Sequence, residues 1–510
     1  MNLSMKLTKP SGRGPLREIS SPAAAFSLCL AGAVVIALKA LLASDGYLSP
    51  DSVNYLGLVE NLRAGHGLVT ANSGRVPLDH TPFAEWPVGY PLLIFAVGAL
   101  TGLSSFAASK AVSVALFLAS AALIARAFPS QDRVLACAMC FASTLEVFAY
   151  TWSEVPFTFL LIALAVLTAR VLRDDDGAEA GTNALLLFAC GAGLFLSRYI
   201  GAFAVGHIGL LAVIKLWHRR PRYAVLLTAV DAALTVLISA YLWHNAIETG
   251  YPTGMERPPA TGTALELAIQ LFAALMSELA VIIPPGTADG PVQLSLGAIF
   301  TLVIGCLALG AYRARRVALE SERIEALCFL WVGLTYLLSI VAMRWVKEFD
   351  AFDFRLLDPA FVPIFVGLFA AIMSSGGNSI RHACRAILLG AATLSLLAHL
   401  ATALMQFDGR GYSAHASEVW HRYAVVPQGS TVVFGDQLAV FLRPDLHIDA
   451  PCTEQGEDCS ASWSQYLAGL TGRRAIFVDI NEDALDPDHH SASVRRFVTS
   501  QRAHELVRIR

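Results

Sequence analysis

The sequence predicts an all-α polytopic membrane domain of about eleven transmembrane helices, followed by a small C-terminal α/β extracytoplasmic domain. Three observations carry this. Apolar residues fill 55% of the 510 positions and charged residues only 15%, where a soluble domain carries about a quarter charged residues. Runs long enough to cross about 30 Å of hydrocarbon recur along positions 23–405. The Lys and Arg clusters between those runs all fall on one side once the first run is oriented. The formal net charge of −3 offers no basic excess for phosphate neutralisation, so no nucleic-acid partner is expected. The lipid bilayer is the partner that composition demands.

Taken in order, residues 1–22 carry Lys6, Lys9, Arg13 and Arg17 ahead of an apolar stretch at 23–43. The layout is that of a signal peptide, but the stretch is too long and has no convincing small-residue cleavage site before Asp45. An uncleaved first helix with a cytoplasmic N-terminus is expected. A long loop at 44–87 follows, then a run at 88–103 that lies too close to the next to be a separate crossing and reads as re-entrant or interfacial. Further spans are expected at 107–127, 134–150, 154–172, 184–198, 200–217, 223–245, 293–312, 325–345, 357–374 and 384–405. Together with 23–43 these make eleven crossings of a domain at 23–405. The cytoplasmic loops then receive Arg126 and Arg133, Arg170 and Arg173, the cluster KLWHRRPR at 215–222, the run 313–323 opening RARR, and Arg381 with Arg385. An odd number of crossings puts the tail at 406–510 outside, where STVVF (430–434) and AIFV (475–478) read as short buried strands. Seven of the nine cysteines lie in apolar runs and act as small hydrophobes. Cys452 and Cys459 sit in the polar tail and form a disulfide only if that compartment is oxidising.

The same topology gathers polar residues on one face: the 44–87 loop, Glu154, Arg198, Tyr199, His244, Asn245, Glu248 and the segment RWVKEFDAFDFRLLD at 344–358. Ionisable groups at helix ends inside a membrane domain line cavities or bind charged ligands. In the first loop, Ser49 and Pro50 are a helix N-cap and first-turn pair, and Tyr55, Leu56, Leu58, Val59 and Leu62 form an apolar stripe, so a short interfacial helix is expected. Asp51 falls in its first turn. There it either complements the helix dipole or points a carboxylate along the membrane surface, as a general base requires.

The order SPDSVNYLGLVENLRAGHGL (49–68), WPVGYPLL (86–93), TWSEVPFTFLL (151–161), GLFLSRYIGAF (193–203), WHNAIETGYPTG (243–254) and DFRLLDPAFVPIF (353–365) resembles GT-C glycosyltransferases. That superfamily includes protein O-mannosyltransferases, aminoarabinose transferases and the bacterial RgtA/B/C/D-like group. The likeness spans most of the membrane domain. It implies a GT-C-type bundle, a polyprenyl-phosphate-linked sugar as donor, a glycolipid or glycan acceptor, inversion at the anomeric carbon, and Asp51 as the catalytic base, with Asp45 as the fallback. It also implies a multi-pass protein of a bacterial inner membrane with its C-terminal domain in the periplasm.

The donor phosphate calls for cations, for which the candidates are Arg198, Arg344, Lys347 and Arg355. Arg344 and Lys347 could equally snorkel at a helix end. Arg355 matches a family position where Arg-Tyr often precedes Leu-Leu-Pro; here Leu356 replaces the tyrosine and Asp358 interrupts the apolar run. Arg198, in an apolar segment, needs a partner such as Glu154 or the lipid phosphate. Tyr55, Asp45, Glu154, Glu85 and His80 are the candidates for an acceptor or cavity role, and Glu154 could simply start its helix. His66, Asp79, His80 and Glu85 offer ligands for a divalent metal, but without a ligand spacing, so no metal site is assigned. A transporter or flippase for lipid-linked saccharides is the alternative, although few polar residues fall at the midplane and no internal repeat is present.

Overall fold

The computed structural model describes residues 22–69, 82–128, 132–174, 177–314, 320–407, 409–433, 435–449, 475–479 and 506–508. Among them ten helices are long and apolar enough to cross a membrane. The first is α1 (Pro22–Leu42). Two short helices follow, α2 (Pro50–Arg63) and α3 (Gly89–Thr101), and then the second long one, α4 (Ser105–Ala127). At 13 residues, α3 is about 20 Å long and too short to cross. It stops at Gly102, whose φ of 74° is the left-handed conformation that glycine adopts freely.

The expected span at 134–150 is where the structure departs from the sequence reading. It forms eight residues of 3-10 helix (Arg133–Cys140) and eight of α5 (Ala142–Ala149), broken at an extended Phe141. A 3-10 helix rises faster than an α-helix, so the two pieces together reach about 28 Å. The segment therefore runs the length of the bundle without being one continuous helix. At its start Asp132 pairs with Arg385 at 3.1 Å, and at its end Tyr150 packs on Tyr47 with ring centroids 4.9 Å apart. Residues 134–149 are buried throughout, and the backbone N–H of Ala142 at the break donates to Val281 O at 2.9 Å. Irregular backbone at this depth is tolerated because protein sheathes it and supplies its partner.

The bundle continues with α6 (Glu154–Arg173), α7 (Ala180–Ser197), α8 (Phe203–Trp217), α9 (Pro221–Thr249), the shorter α10 (Ala264–Leu279), α11 (Gly290–Ala314), α12 (Glu320–Val346), α13 (Phe354–Ser375) and α14 (Asn378–Gln406). Most of the apolar interior forms one cluster, in which Phe157, Tyr336, Phe361, Phe365 and Phe369 are buried. Six of the seven cysteines among the described residues are buried.

Helix α14 carries Arg385 near its start, and Gln406 at its end accepts a hydrogen bond from Tyr47 O–H at 3.0 Å. The chain beyond α14 therefore emerges beside the first loop. There α15 (Gly411–Arg422) lays Tyr412 on Phe106, ring centroids 3.6 Å apart. A four-stranded sheet follows in the order β2 (His447–Asp449), β1 (Thr431–Val433), β3 (Ile476–Asp479), β4 (Leu506–Arg508). The first three strands are parallel and β4 is antiparallel to β3. Helix α16 (Ala439–Leu442) packs on α2, and apolar residues of the first loop and the tail share one cluster.

The expected short helix is present, and that contact buries it within the protein. Ser52, Val53, Tyr55, Leu56, Gly57, Leu58, Val59 and Asn61 are all buried. Helix α2 is covered on more than one face because the tail lies over it while the bundle lies beneath.

Candidate functional site

Helix α2 starts as the sequence predicts. Ser49 is its N-cap and exchanges a capping box with Ser52, while Pro50 fixes the first turn. Asp51 follows at the positive end of the helix dipole, which it favours. Its carboxylate faces Arg355 and makes an ion pair with it. Arg355 is the second residue of α13, which Asp353 caps by accepting from Leu356 N–H at 3.1 Å. Burial pushes the Asp353 carboxyl above the ordinary aspartate range.

The Arg355 guanidinium has three fixed contacts. One Nη2 edge meets Asp51, Nε donates to Glu154 Oε1 at 2.6 Å, and the flat face lies 4.9 Å from the centroid of the Trp152 ring. Glu154 opens α6 and is 0% exposed. It also pairs with Arg198, which ends α7 in an extended conformation at the negative end of that helix's dipole. Two carboxylates and two guanidiniums thus form one balanced cluster built from four helix ends.

Around the cluster the side chains are hydrogen-bonded in sequence. Tyr55 O–H donates to Ser153 Oγ at 3.2 Å, and Ser153 O–H donates to Glu154 Oε2 at 3.3 Å. Trp152 Nε1–H donates to Ser49 Oγ at 2.7 Å, tying the Arg355 platform to the cap of α2. The Tyr55 phenol is fully buried, which raises its pKa well above the usual tyrosine value and leaves it a hydrogen-bond donor.

The cluster forms part of the wall of a cavity of about 750 Å³, lined by acidic Asp51, Glu85, Glu256 and Asp350 and by basic Arg198, Arg257, Lys347 and Arg355. This volume falls within the range of pockets that take a ligand of substrate size. Two loops close one side. Gly254 has φ 74°, and a Cβ there would fall 2.3 Å from the Ala84 carbonyl carbon, so 254 and 84–85 meet backbone to backbone. Tyr199 O–H donates to Ala84 O at 2.6 Å and receives Asn245 Nδ2–H at 2.9 Å. Arg257 donates to Glu85 O at 3.4 Å, and Lys347 Nζ donates to Arg257 O at 2.9 Å.

Of the residues singled out in the sequence, Asp51, Glu85, Arg198, Lys347 and Arg355 line this cavity, and Glu154 stands directly behind it. Tyr55 supports the wall from below. Arg344 is not among the lining residues; its guanidinium lies 5.7 Å from the ring centroid of Phe349, which is.

Asp45 is placed elsewhere. The chain turns at Gly46 and Tyr47 with positive φ, and the Asp45 carboxylate accepts Tyr47 N–H at 3.0 Å. Asp45 therefore closes a turn and is not among the residues that line this cavity. His80, with Asp79, lies outside the described residues. Among the described residues no group of three or more His, Cys, Asp and Glu side chains is placed to hold a metal ion.

The sequence reading missed Trp152, Ser153 and Arg257. The first two immediately precede Glu154 within TWSEVPFTFLL and were within reach of a closer reading of that motif. Arg257 has no local signal, since it arrives through the fold of the 250–262 loop.

No protein-family model matches the chain, and no curated protein sequence matches it. Solved structures with a similar course of chain include ArnT from Cupriavidus metallidurans in the apo state, at 14% identity over 91% of this chain and 88% of that one, with a TM-score of 0.41. The same protein bound to undecaprenyl phosphate matches at 13% identity over 92% and 90%, with a TM-score of 0.42. The Archaeoglobus fulgidus oligosaccharyltransferase in the apo form matches at 11% identity over 89% of this chain and 69% of that one, with a TM-score of 0.48.

Proposed function

We propose that this chain is an inverting glycosyltransferase. It takes a sugar from a polyprenyl-phosphate donor and passes it to a lipid-anchored glycan or similar acceptor at the periplasmic face of a bacterial inner membrane. One observation carries the reading: Asp51 and Arg355 stand together on the wall of the cavity, so a base and a phosphate-binding cation border the same space. The order of the six motifs along the chain supports it.

In the proposed step the acceptor hydroxyl attacks the anomeric carbon. Its proton passes to the Asp51 carboxylate, the bond from that carbon to the phosphate oxygen breaks, and polyprenyl phosphate departs with the electron pair. Arg198, Lys347 and Arg355 are the cations offered to the phosphate, and Arg344 acts only from behind Phe349. Glu85 borders the acceptor side. The 406–510 tail is a periplasmic domain, of which the described helix α16 packs on α2.

The test is transfer from a radiolabelled polyprenyl-phosphate sugar pool to membrane glycolipids, comparing the intact protein with Asp51→Asn at equal abundance. Loss of a proton acceptor costs about 10²- to 10⁴-fold in rate, so the variant should leave the acceptors almost unlabelled. Equal labelling by both proteins rejects Asp51 as base and moves the reading toward a lipid-linked saccharide transporter.

A further inference from the structure

Resting on the donor class just proposed, we infer that the cluster is an exchange device. The donor's phosphate displaces Asp51 from Arg355, so the carboxylate becomes free for the acceptor only when donor is bound.

The partners of the two carboxylates are unequal. Glu154 is fully buried and receives three donors, from Arg198, Arg355 Nε and Ser153. Asp51 has a side chain 19% exposed on the cavity wall and one ion-pair partner among the described residues, Arg355 Nη2. Glu154 is therefore the fixed anchor of both guanidiniums and Asp51 the replaceable one.

Charge balance leads to the same division. The four groups carry two negative and two positive charges. An added phosphate needs a cation, and the remaining Nη1 of Arg355 lies 4.0 Å from Asp350, whose side chain is 70% exposed. A guanidinium held flat on Trp152 and fixed through Nε can turn neither its plane nor its root. A phosphate that takes the Nη1–Nη2 end of this guanidinium meets Asp51 already paired at Nη2, so the two anions compete for one cation. The displaced carboxylate is released from its ion pair into the cavity that it borders. Donor then binds before the acceptor is activated, and Glu154, which holds Arg355 in place throughout, is a positioning residue.

The test uses the full chain in nanodiscs titrated with undecaprenyl phosphate, which carries no sugar and reports binding without transfer. A competitor for Arg355 is removed in Asp51→Asn, so this variant should bind the lipid about fivefold tighter than the native chain, the size of an ordinary coupling between two ligands at one group. In the double variant Asp51→Asn with Arg355→Gln the gain should vanish, because both effects act through the same guanidinium. Glu154→Gln should weaken binding, and a folded melting profile for that variant separates lost anchoring from lost fold. Equal or weaker binding by Asp51→Asn overturns the exchange while leaving the donor class standing. No binding by the native chain overturns the donor class itself, and the exchange with it.

Discussion

At the scale of single residues, the site depends on the shape of one guanidinium as much as on its charge. Arg355 reaches Glu154 through Nε and Asp51 through Nη2 while lying on Trp152. Lysine keeps the charge but has one nitrogen and no plane, so it cannot make these contacts together. Arg355→Lys should therefore lower kcat/KM for transfer by about 10- to 100-fold with unchanged abundance. Initial rates in nanodiscs decide this, and a variant as fast as the native chain would mean that charge alone suffices. Arg355 stood out in the sequence only through its motif, and the Leu356 and Asp358 departures weakened that signal. Both residues have a defined place in the structure. Leu356 is buried in the apolar interior and borders the cavity, and Asp358, which does not line it, accepts Thr144 O–H at 2.7 Å in the bundle.

At the scale of elements, the broken 133–149 crossing sets the position of Tyr150 and Trp152, whose rings stack with centroids 4.0 Å apart beneath Arg355. A kinked segment with no continuous hydrogen-bond ladder needs external clamps. One is a buried trio in which Lys39 of α1 donates to Glu146 of α5 and to His399 Nδ1 of α14, the latter at 2.8 Å. His399 Nε2–H in turn donates to Ala142 O at 3.0 Å, and this pairing assigns the tautomer. Lys39→Met leaves a buried carboxylate without its cation, and breaking a buried pair from one side costs about 3–5 kcal/mol. Thermal unfolding in detergent should show a clear drop in Tm, with part of it recovered in Lys39→Met combined with Glu146→Gln. A Tm equal to native would assign the clamp to other contacts. The break itself was hidden from the sequence, because apolar periodicity reports burial and is silent on whether a buried run is one helix or two. The start of α2, by contrast, was readable from Ser49 and Pro50, which act within one turn; the reciprocal bond from Ser52 was not read from the sequence.

At the scale of the whole molecule, the question is whether the tail is an appendage or a part of the site's foundation. Strands β1 and β3 were visible as short apolar runs in a polar region, but their attachment was not, because contacts between 439–442 and α2 link residues nearly four hundred positions apart. The attachment is extensive. Tyr412 stacks on Phe106, and Gly411, at φ 64°, lies where a Cβ would come 2.6 Å from Leu41 O. Val432, Ala439, Val440 and Phe441 share a cluster with Val53, Tyr55 and Leu56. Removing the tail would expose the apolar face of the helix that carries Asp51, and each large side chain uncovered costs about 1.5–3 kcal/mol. A chain ending at residue 407 should consequently keep its membrane bundle yet lose order in α2. Protease cleavage within 50–63 should rise while cleavage at the opposite end of the bundle stays at the native level, and transfer should fall together with the Asp51 position. A shortened chain that resists cleavage in α2 and transfers sugar at the native rate would show instead that the bundle alone holds Asp51 against Arg355.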